Sequence, residues 1–262
     1  MKRKNRIKIS KLIMNRVLRK NKGLAKLIPE TRRMNRSVLR KMLDKYHMVY
    51  IKPCRGQQGH GVMKVDKLAL KNTYRTQNGT HVKRYASYGL AYNVIMKSVR
   101  QEPYLVQRGI RLLTYGGRPF DVRVMVQRNR KRRWTATGYV GRVAHPRKAV
   151  TNGSQGGTIY PVEKLLKGYM GNKKRAALIA KMKRISIDSA KRYAAVYGGN
   201  EIGADIAVDR SHRLWILEIN TIPDPCPFTK LNDRTMIRRI LRYGKAYGRK
   251  YPLRCTKSKK GL

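Results

Sequence analysis

The stretch that most constrains this chain is 201–224, EIGADIAVDRSHRLWILEINTIPD. Apolar residues predominate in two short runs, 203–208 and 213–220, which predicts two strands around the polar turn Asp209-Arg210-Ser211-His212. By period-two alternation Leu214, Ile216, Glu218 and Asn220 face one way, and Trp215, Leu217 and Ile219 the other. A two-residue hairpin loop at Arg210-Ser211 would set Asp205 opposite Ile216, on the same face as Glu218 and diagonal to it. Asp205, Glu218 and Asn220 would then offer two carboxylates and one amide oxygen at a strand end. That donor set suits Mg²⁺, which usually keeps waters and phosphate oxygens in its shell.

Charge sharpens the reading. The chain has 63 Lys and Arg against 13 Asp and Glu, a net charge of +50. Five of the 13 acids, Glu201, Asp205, Asp209, Glu218 and Asp224, fall in this one stretch. Asp209 and Asp224 read as turn residues and Glu201 as a cap. Glu218 and Asn220, inside an apolar strand, need a partner to offset the cost of burial.

Residues 1–29 carry eleven Lys or Arg and no acid. Ile9, Leu12, Ile13, Val17 and Leu18 recur at helical spacing, so a basic amphipathic helix is expected, docking its apolar stripe on the rest of the chain in preference to serving as a membrane-surface or nucleic-acid arm. A helix over 36–46, capped by Asn35, precedes a strand from Met48 to Lys52 that Pro53 ends. Gly56, Gly59 and Gly61 follow, and glycine N–H groups can cradle phosphate. Gln77-Asn78-Gly79-Thr80 reads as a hairpin turn, and 88–101 as a helix with Leu90, Val94, Ile95 and Val99 inside. Strands are expected at 104–110, 120–127 and 133–142. Pro161 at the first position of a helix, a long helix over 173–196 stopped by Gly198-Gly199, and a helix over 232–246 complete the pattern. Residues 249–262 read as a loose basic tail.

Glu218-Ile219-Asn220-Thr221-Ile222-Pro223 resembles the metal-binding strand of the ATP-grasp superfamily. With Leu27-Ile28-Pro29-Glu30-Thr31 and the strand, Lys52-Pro53, Gly-rich loop order, the chain resembles the YheC/YheD group of endospore coat-associated ATP-grasp proteins over roughly 27–250. The resemblance implies an α+β ATP-grasp fold with two lobes, each a largely antiparallel sheet with helices, and ATP between them. It places a small lobe at 30–106 and a catalytic lobe at 107–250, flanked by the arm 1–29 and the tail 251–262. It gives Lys52 to a phosphate, Gly56, Gly59 and Gly61 to the triphosphate, and Gln107, Arg108, Gly109 and Ile110 to the adenine edge. It makes Arg123, oriented by Asp121, and Asn152, beside Gly156-Gly157, the candidate catalytic residues. One or two Mg²⁺ ions would sit on Asp205, Glu218 and Asn220. The implied activity is an ATP-dependent carboxylate–amine ligase with unidentified carboxylate and amine substrates. The rival is a non-catalytic protein on the same fold.

The charge calls for an anionic partner, whether polyphosphate, a wall or other polymer, a membrane surface or nucleic acid, and the resemblance adds spore-coat components. Nucleic acid is the less favoured, because aromatics are not interleaved with the basic runs. No apolar run approaches 18 residues and no signal-peptide pattern opens the chain, so a cytoplasmic protein is expected, and the resemblance alone adds the mother cell or the spore coat. Cys54, Cys226 and Cys255 read as too few and too scattered for a structural zinc site or a disulfide framework, which fits a reducing cytoplasm.

Overall fold

The computed structural model describes residues 10–56, 59–69, 72–99, 102–148, 151, 156–253, 255–256 and 258–261. The chain opens with α1 (Lys11–Arg19) and α2 (Lys22–Ala25), then β1 (Thr31–Arg33), α3 (Arg36–Tyr46), β2 (Met48–Pro53), β3 (Met63–Lys67), β4 (Tyr74–Asn78), β5 (His81–Tyr85), α4 (Tyr88–Ser98) and β6 (Tyr104–Arg108). These strands form one antiparallel sheet in the order β1-β6-β2-β3-β4-β5. Asn35 caps α3, its side chain accepting from the Val38 N–H at 2.8 Å. Alternation along β2 sends Val49 and Ile51 into a core with Leu39, Leu43, Ala91 and Ile95 of the two helices. Tyr50 and Lys52 therefore point to the other face. In α4 the buried residues are Tyr88, Ala91 and Ile95, whereas Leu90, expected inside, is 55% exposed. The helix turns inward the stripe that carries Tyr88 and Ala91, not the one that carries its leucine.

The second half contains β7 (Thr114–Tyr115), β8 (Arg118–Arg128), β9 (Trp134–Val143), β10 (Thr158–Tyr160), α5 (Val162–Leu166), α6 (Asn172–Tyr197), β11 (Glu201–Val208), β12 (Leu214–Asn220), a 3-10 turn at Cys226–Lys230, α7 (Thr235–Lys245) and β13 (Lys259–Lys260). Its sheet runs β12-β11-β8-β9-β10-β13, with β7 paired to the start of β8, and is antiparallel except for β10 with β13. Pro161 stands one place before α5, as its cap rather than its first residue. One face packs Val122, Val124, Ile202, Ala204, Ile206 and Ile216 against α6. The other packs Met125 and Val140 against Phe228 and Ile240.

The amphipathic segment at the start docks, but on a stripe shifted from the expected one: Val17 and Leu18 face inward as expected, Ile13 is 42% exposed and Met14 is buried in its place, while Ile9 lies outside the described residues. Met14, Val17 and Leu18 of α1 and Leu24 of α2 are buried, and Met14, Leu18 and Leu24 join the α6 core. Arg192 Nε donates to Val17 O at 3.2 Å. Two expectations are corrected at the other end. Cys226 and Cys255 form a disulfide, so the scattered spacing did not exclude a covalent link, and the cysteines give no support to a reducing compartment. Cys54 is a buried free thiol. The segment read as a loose tail is also pinned. Arg249 Nε lies 3.0 Å from Glu201 Oε1, and the hydroxyls of Tyr247 and Tyr251 donate to Glu201 Oε2. Glu201 is thus a buried strand carboxylate held by these groups, not a cap.

The hairpin of β11 and β12 differs from the expected register. Asp205 stands directly opposite Glu218, while the next pair is Ile206 with Ile216, so Leu217 is an extra residue on β12. Asp209 is the turn residue of the loop: its Oδ1 accepts from Ser211 N and Arg213 N, and its Oδ2 from Trp215 Nε1 at 2.7 Å. The bulge changes the phase of the strand. Leu214, Ile216 and Ile219 lie in the α6 core, and Trp215 and Leu217 pack with Ile110 on the opposite side. Leu217 and Glu218, expected on opposite faces, line one cleft.

Candidate active site

The cleft lies between the two sheets and holds about 760 Å³ of empty space, its open mouth included. Tyr50, Val62, Ile110, Leu112 and Leu217 give it an apolar wall. Lys11, Lys52, Gly56, Gly59 and His60 line another part, and Asp121, Asp205 and Glu218 face them from the second sheet.

The strand register builds the acidic side. Glu218 on β12, Asp205 on β11 and Arg123 on β8 are successive partners in one row. Arg123 Nε donates to Asp205 Oδ1 at 2.5 Å, and its Nη2 donates to Oδ2 at 3.1 Å. Arg142 Nη2 lies 3.0 Å from the same Oδ2, and Asn220 Nδ2 donates to it at 3.3 Å. Burial raises the Asp205 pKa, but the two guanidiniums outweigh it and bring the carboxyl down to about 2.

Asp121 does not orient Arg123, the role that the resemblance implied for it. It pairs with Arg142 across β8 and β9, accepting from Nε at 2.8 Å and Nη2 at 2.6 Å, and it accepts from Thr151 Oγ1 at 2.6 Å. Side chains two apart on a strand share a face, but the nearest partner is the one directly across the ladder. Arg142 thus links Asp121 to Asp205. Burial works against its charge, and the carboxylates of Asp121 and Asp205 more than restore it, raising its pKa.

On the opposite wall, Lys52 Nζ donates to Gln107 Oε1 at 2.6 Å. Gln107 in turn donates from Nε2 to Thr31 Oγ1 at 3.3 Å and to Leu217 O at 3.4 Å, so its amide ties the two sheets together. Burial holds the Lys52 ammonium below its ordinary pKa.

The remaining expected residues separate into groups. Arg108 and Ile110 line the cleft, and the Arg108 guanidinium lies 4.9 Å from the ring centres of both Tyr46 and Trp215. Gly109 lies against β2: a Cβ there would come within 2.8 Å of Met48 O, so the chain needs glycine for its close approach. Gly61, with φ +69°, sits against Pro53 and the Tyr104 hydroxyl. Asn152 lies outside the described residues, as do Gln57 and Gln58 of the phosphate-loop candidate.

Three residues were missed by sequence reasoning. Arg142 was one basic residue in a basic hairpin. Lys11 was one of eleven cations in the first 29 residues, yet its Nζ lies 3.3 Å from Glu218 Oε1. Gly203 pairs with Asn220, and a Cβ at this position would lie 2.9 Å from Pro223 Cβ and 3.2 Å from Arg123 Cδ. Only its place two residues before Asp205 could have drawn attention to it.

A lysine and a glycine-bearing loop on one antiparallel sheet, facing a carboxylate pair on another, define the ATP-grasp class of fold. The chain belongs to the YheC/D-like ATP-grasp family, whose model matches residues 3–250. It is similar to endospore coat-associated protein YheD of Bacillus subtilis (strain 168), 28% identical over 193 residues that make up 71% of this chain and 42% of that protein. It is also similar to endospore coat-associated protein YheC of the same organism, 25% identical over 203 residues, 75% of this chain and 54% of that protein. Among solved structures, N5-carboxyaminoimidazole synthase from Aspergillus clavatus, in complex with ADP and 5-aminoimidazole ribonucleotide, superposes with a TM-score of 0.54 at 12% identity. The match covers 95% of this chain and 53% of that one, and at this identity it bears on the fold alone. The chain spans about half the length of these relatives. Among the described residues, no helix is long and apolar enough to cross a membrane.

Proposed function

We propose that the protein is an ATP- and Mg²⁺-dependent ligase that activates a carboxylate as an acyl-phosphate and joins it to an amine or a similar nucleophile. The observation that carries this reading is the row Glu218, Asp205, Arg123 across three strands, facing Lys52 over the cleft. Its coat-associated relatives point to a role in sporulation, in the mother cell or the coat, and its +50 charge to coat components or other anionic polymers as substrates or docking partners.

The residues fit the nucleotide in kind. Apolar side chains from both sheets suit a base, and Lys52 and the glycine loop suit phosphates. Among the described residues, no three His, Cys, Asp or Glu side chains cluster as a ready metal site. The donor set here is instead two carboxylates and one amide, which is the composition a hard cation accepts when phosphate completes its shell. Asp205, Glu218 and Asn220 would hold Mg²⁺, which when bound neutralises charge on phosphate oxygens.

The chain's own groups do the positioning. Gln107 offers Lys52 a neutral oxygen rather than a carboxylate, so the ammonium's charge is left for an anion in the cleft. Asp205 fixes the Arg123 guanidinium in its plane, and Arg142 backs both Asp121 and Asp205. In the reaction a substrate carboxylate oxygen attacks the γ-phosphorus and ADP leaves. The nucleophile then attacks the acyl carbon, phosphate leaves, and the nucleophile loses its proton. Preorganised cations aimed at the developing charge supply the rate enhancement.

A second reading has its own observation. The acids of the row are already matched by cations, Asp205 by Arg123 and Arg142 and Glu218 by Lys11. That arrangement also suits a non-catalytic protein whose +50 charge docks an anionic polymer or nucleic acid. Calorimetry at high salt separates the two, because salt suppresses diffuse attraction to the basic surface. The ligase reading expects ATP binding that requires Mg²⁺ and is lost in the Glu218→Ala/Asn220→Ala double variant. Binding indifferent to Mg²⁺ and to those substitutions would overturn it in favour of the second reading.

A further inference from the structure

We propose that Lys11, delivered by the N-terminal helix, is a phosphate-binding residue of the cleft and the residue that positions Glu218. The proposal rests on the reading of the cleft as an Mg²⁺–ATP site. Lys11 is the first residue of α1, whose Met14 and Leu18 are anchored in the core of the second sheet. Its own backbone N–H crosses to the first sheet and donates to Cys54 O at 3.0 Å. Its side chain follows the same path: Nζ donates to Gly56 O at 2.5 Å and lies 3.3 Å from Glu218 Oε1. One residue therefore touches the glycine loop of one lobe and the carboxylate of the other.

The chemistry of an ammonium completes the argument. It carries three N–H donors in a tetrahedral array. Two are directed to Gly56 O and Glu218 Oε1, and the third remains for a ligand in the cleft that Lys11 lines beside Lys52, Gly59 and His60. Holding Glu218 by Oε1 leaves its Oε2 for another ligand, so one contact orients the carboxylate for a metal while the other orients the loop over the phosphates. The segment on which Lys11 stands is otherwise read only as a basic arm; this contact makes it part of the site.

The test compares ATP and AMP binding by calorimetry at high salt with Mg²⁺, for the wild type, Lys11→Met and Lys20→Met. Lys20 is an exposed lysine on the same segment and controls for loss of charge alone. Lys11→Met is expected to weaken Mg²⁺–ATP roughly 10- to 100-fold, the scale of a charge-assisted hydrogen bond, and to leave AMP unchanged. Lys20→Met should leave both unchanged. Equal ATP affinity in Lys11→Met and wild type overturns the proposal. So does an equal loss for ATP and AMP, which would mark a purely structural role, or an equal effect of Lys20→Met. A wild type that binds ATP without regard to Mg²⁺ overturns the functional reading itself, and the proposal with it.

Discussion

Arg123 and Asp205 stand directly opposite each other on neighbouring strands and share two hydrogen bonds, at 2.5 and 3.1 Å. Both side chains are almost fully buried. The pair is the middle of a row that ends at Glu218 on one side, and Arg142 closes it from behind.

Glu218 is the most open carboxylate of the row, with a quarter of its side chain exposed in the cleft. Glu218→Ala should lower turnover at least ~100-fold, in line with electrostatic groups of this type. ADP release with an acceptor, or Mg²⁺-dependent ATP binding before an acceptor is found, measures the loss. The folded state should be little changed, since the carboxylate is at the cleft surface.

Arg142 should behave in the opposite way. It is buried between Asp121 and Asp205, and Arg142→Met would leave two buried carboxylates without their shared cation. Breaking such an arrangement from one side costs about 3–5 kcal/mol. Urea denaturation at constant salt should show this as a fall in the midpoint with an unchanged slope.

Acid should act through Asp205. Its carboxyl is depressed from the ordinary 3.8 to about 2 by Arg123 and Arg142, against the effect of burial. A group lowered on folding stabilises the native state above its unfolded pKa. That contribution, roughly 2 kcal/mol, is lost as pH falls from about 4 through about 2. Denaturation profiles between pH 6 and 2 at high salt should steepen in this window, and Asp205→Asn should remove that part of the dependence.

Gly203→Ala tests the tight contact behind the row. The added Cβ would meet Pro223 Cβ at 2.9 Å and Arg123 Cδ at 3.2 Å, both closer than carbon atoms normally approach. Overpacking of this kind costs about 1–3 kcal/mol. A lower thermal midpoint with weaker Mg²⁺–ATP binding is the expected pair of effects; a displaced Arg123 would account for the second.

The Cys226–Cys255 disulfide closes a loop across 29 positions that contains α7. In the chain-entropy account such a closure stabilises the fold by about 3–4 kcal/mol. Thermal unfolding with and without reductant, and of Cys255→Ser, should differ by that amount, with ATP binding unaffected.

Much of this was legible in the sequence. Asp205 and Glu218 stood out because carboxylates are scarce in the chain, Asn220 because it is a polar residue in an apolar strand, and Lys52 because a proline and glycines follow it. The Asn35 cap and the α3 stripe were local signals, and local signals read well. What escaped was non-local. The disulfide joins residues far apart, and Arg142 could not be told from its basic neighbours until β8 lay beside β9. Lys11 reaches the cleft only because α1 docks where it does. The bulge at Leu217 escaped for another reason: a run of apolar residues reads the same in either phase.

That bulge gives β12 something like two reading frames joined end to end. In the first, the even-numbered Leu214 and Ile216 serve the α6 core; in the second, the even-numbered Glu218 and Asn220 serve the cleft. A chain lacking Leu217 would keep both groups on their own sides, with plain alternation in place of the bulge. Gaining or losing a residue on either flank would instead set one group out of frame with the other, although no side chain had been exchanged. Among related chains, single-residue differences in the length of this strand should therefore gather at the bulge.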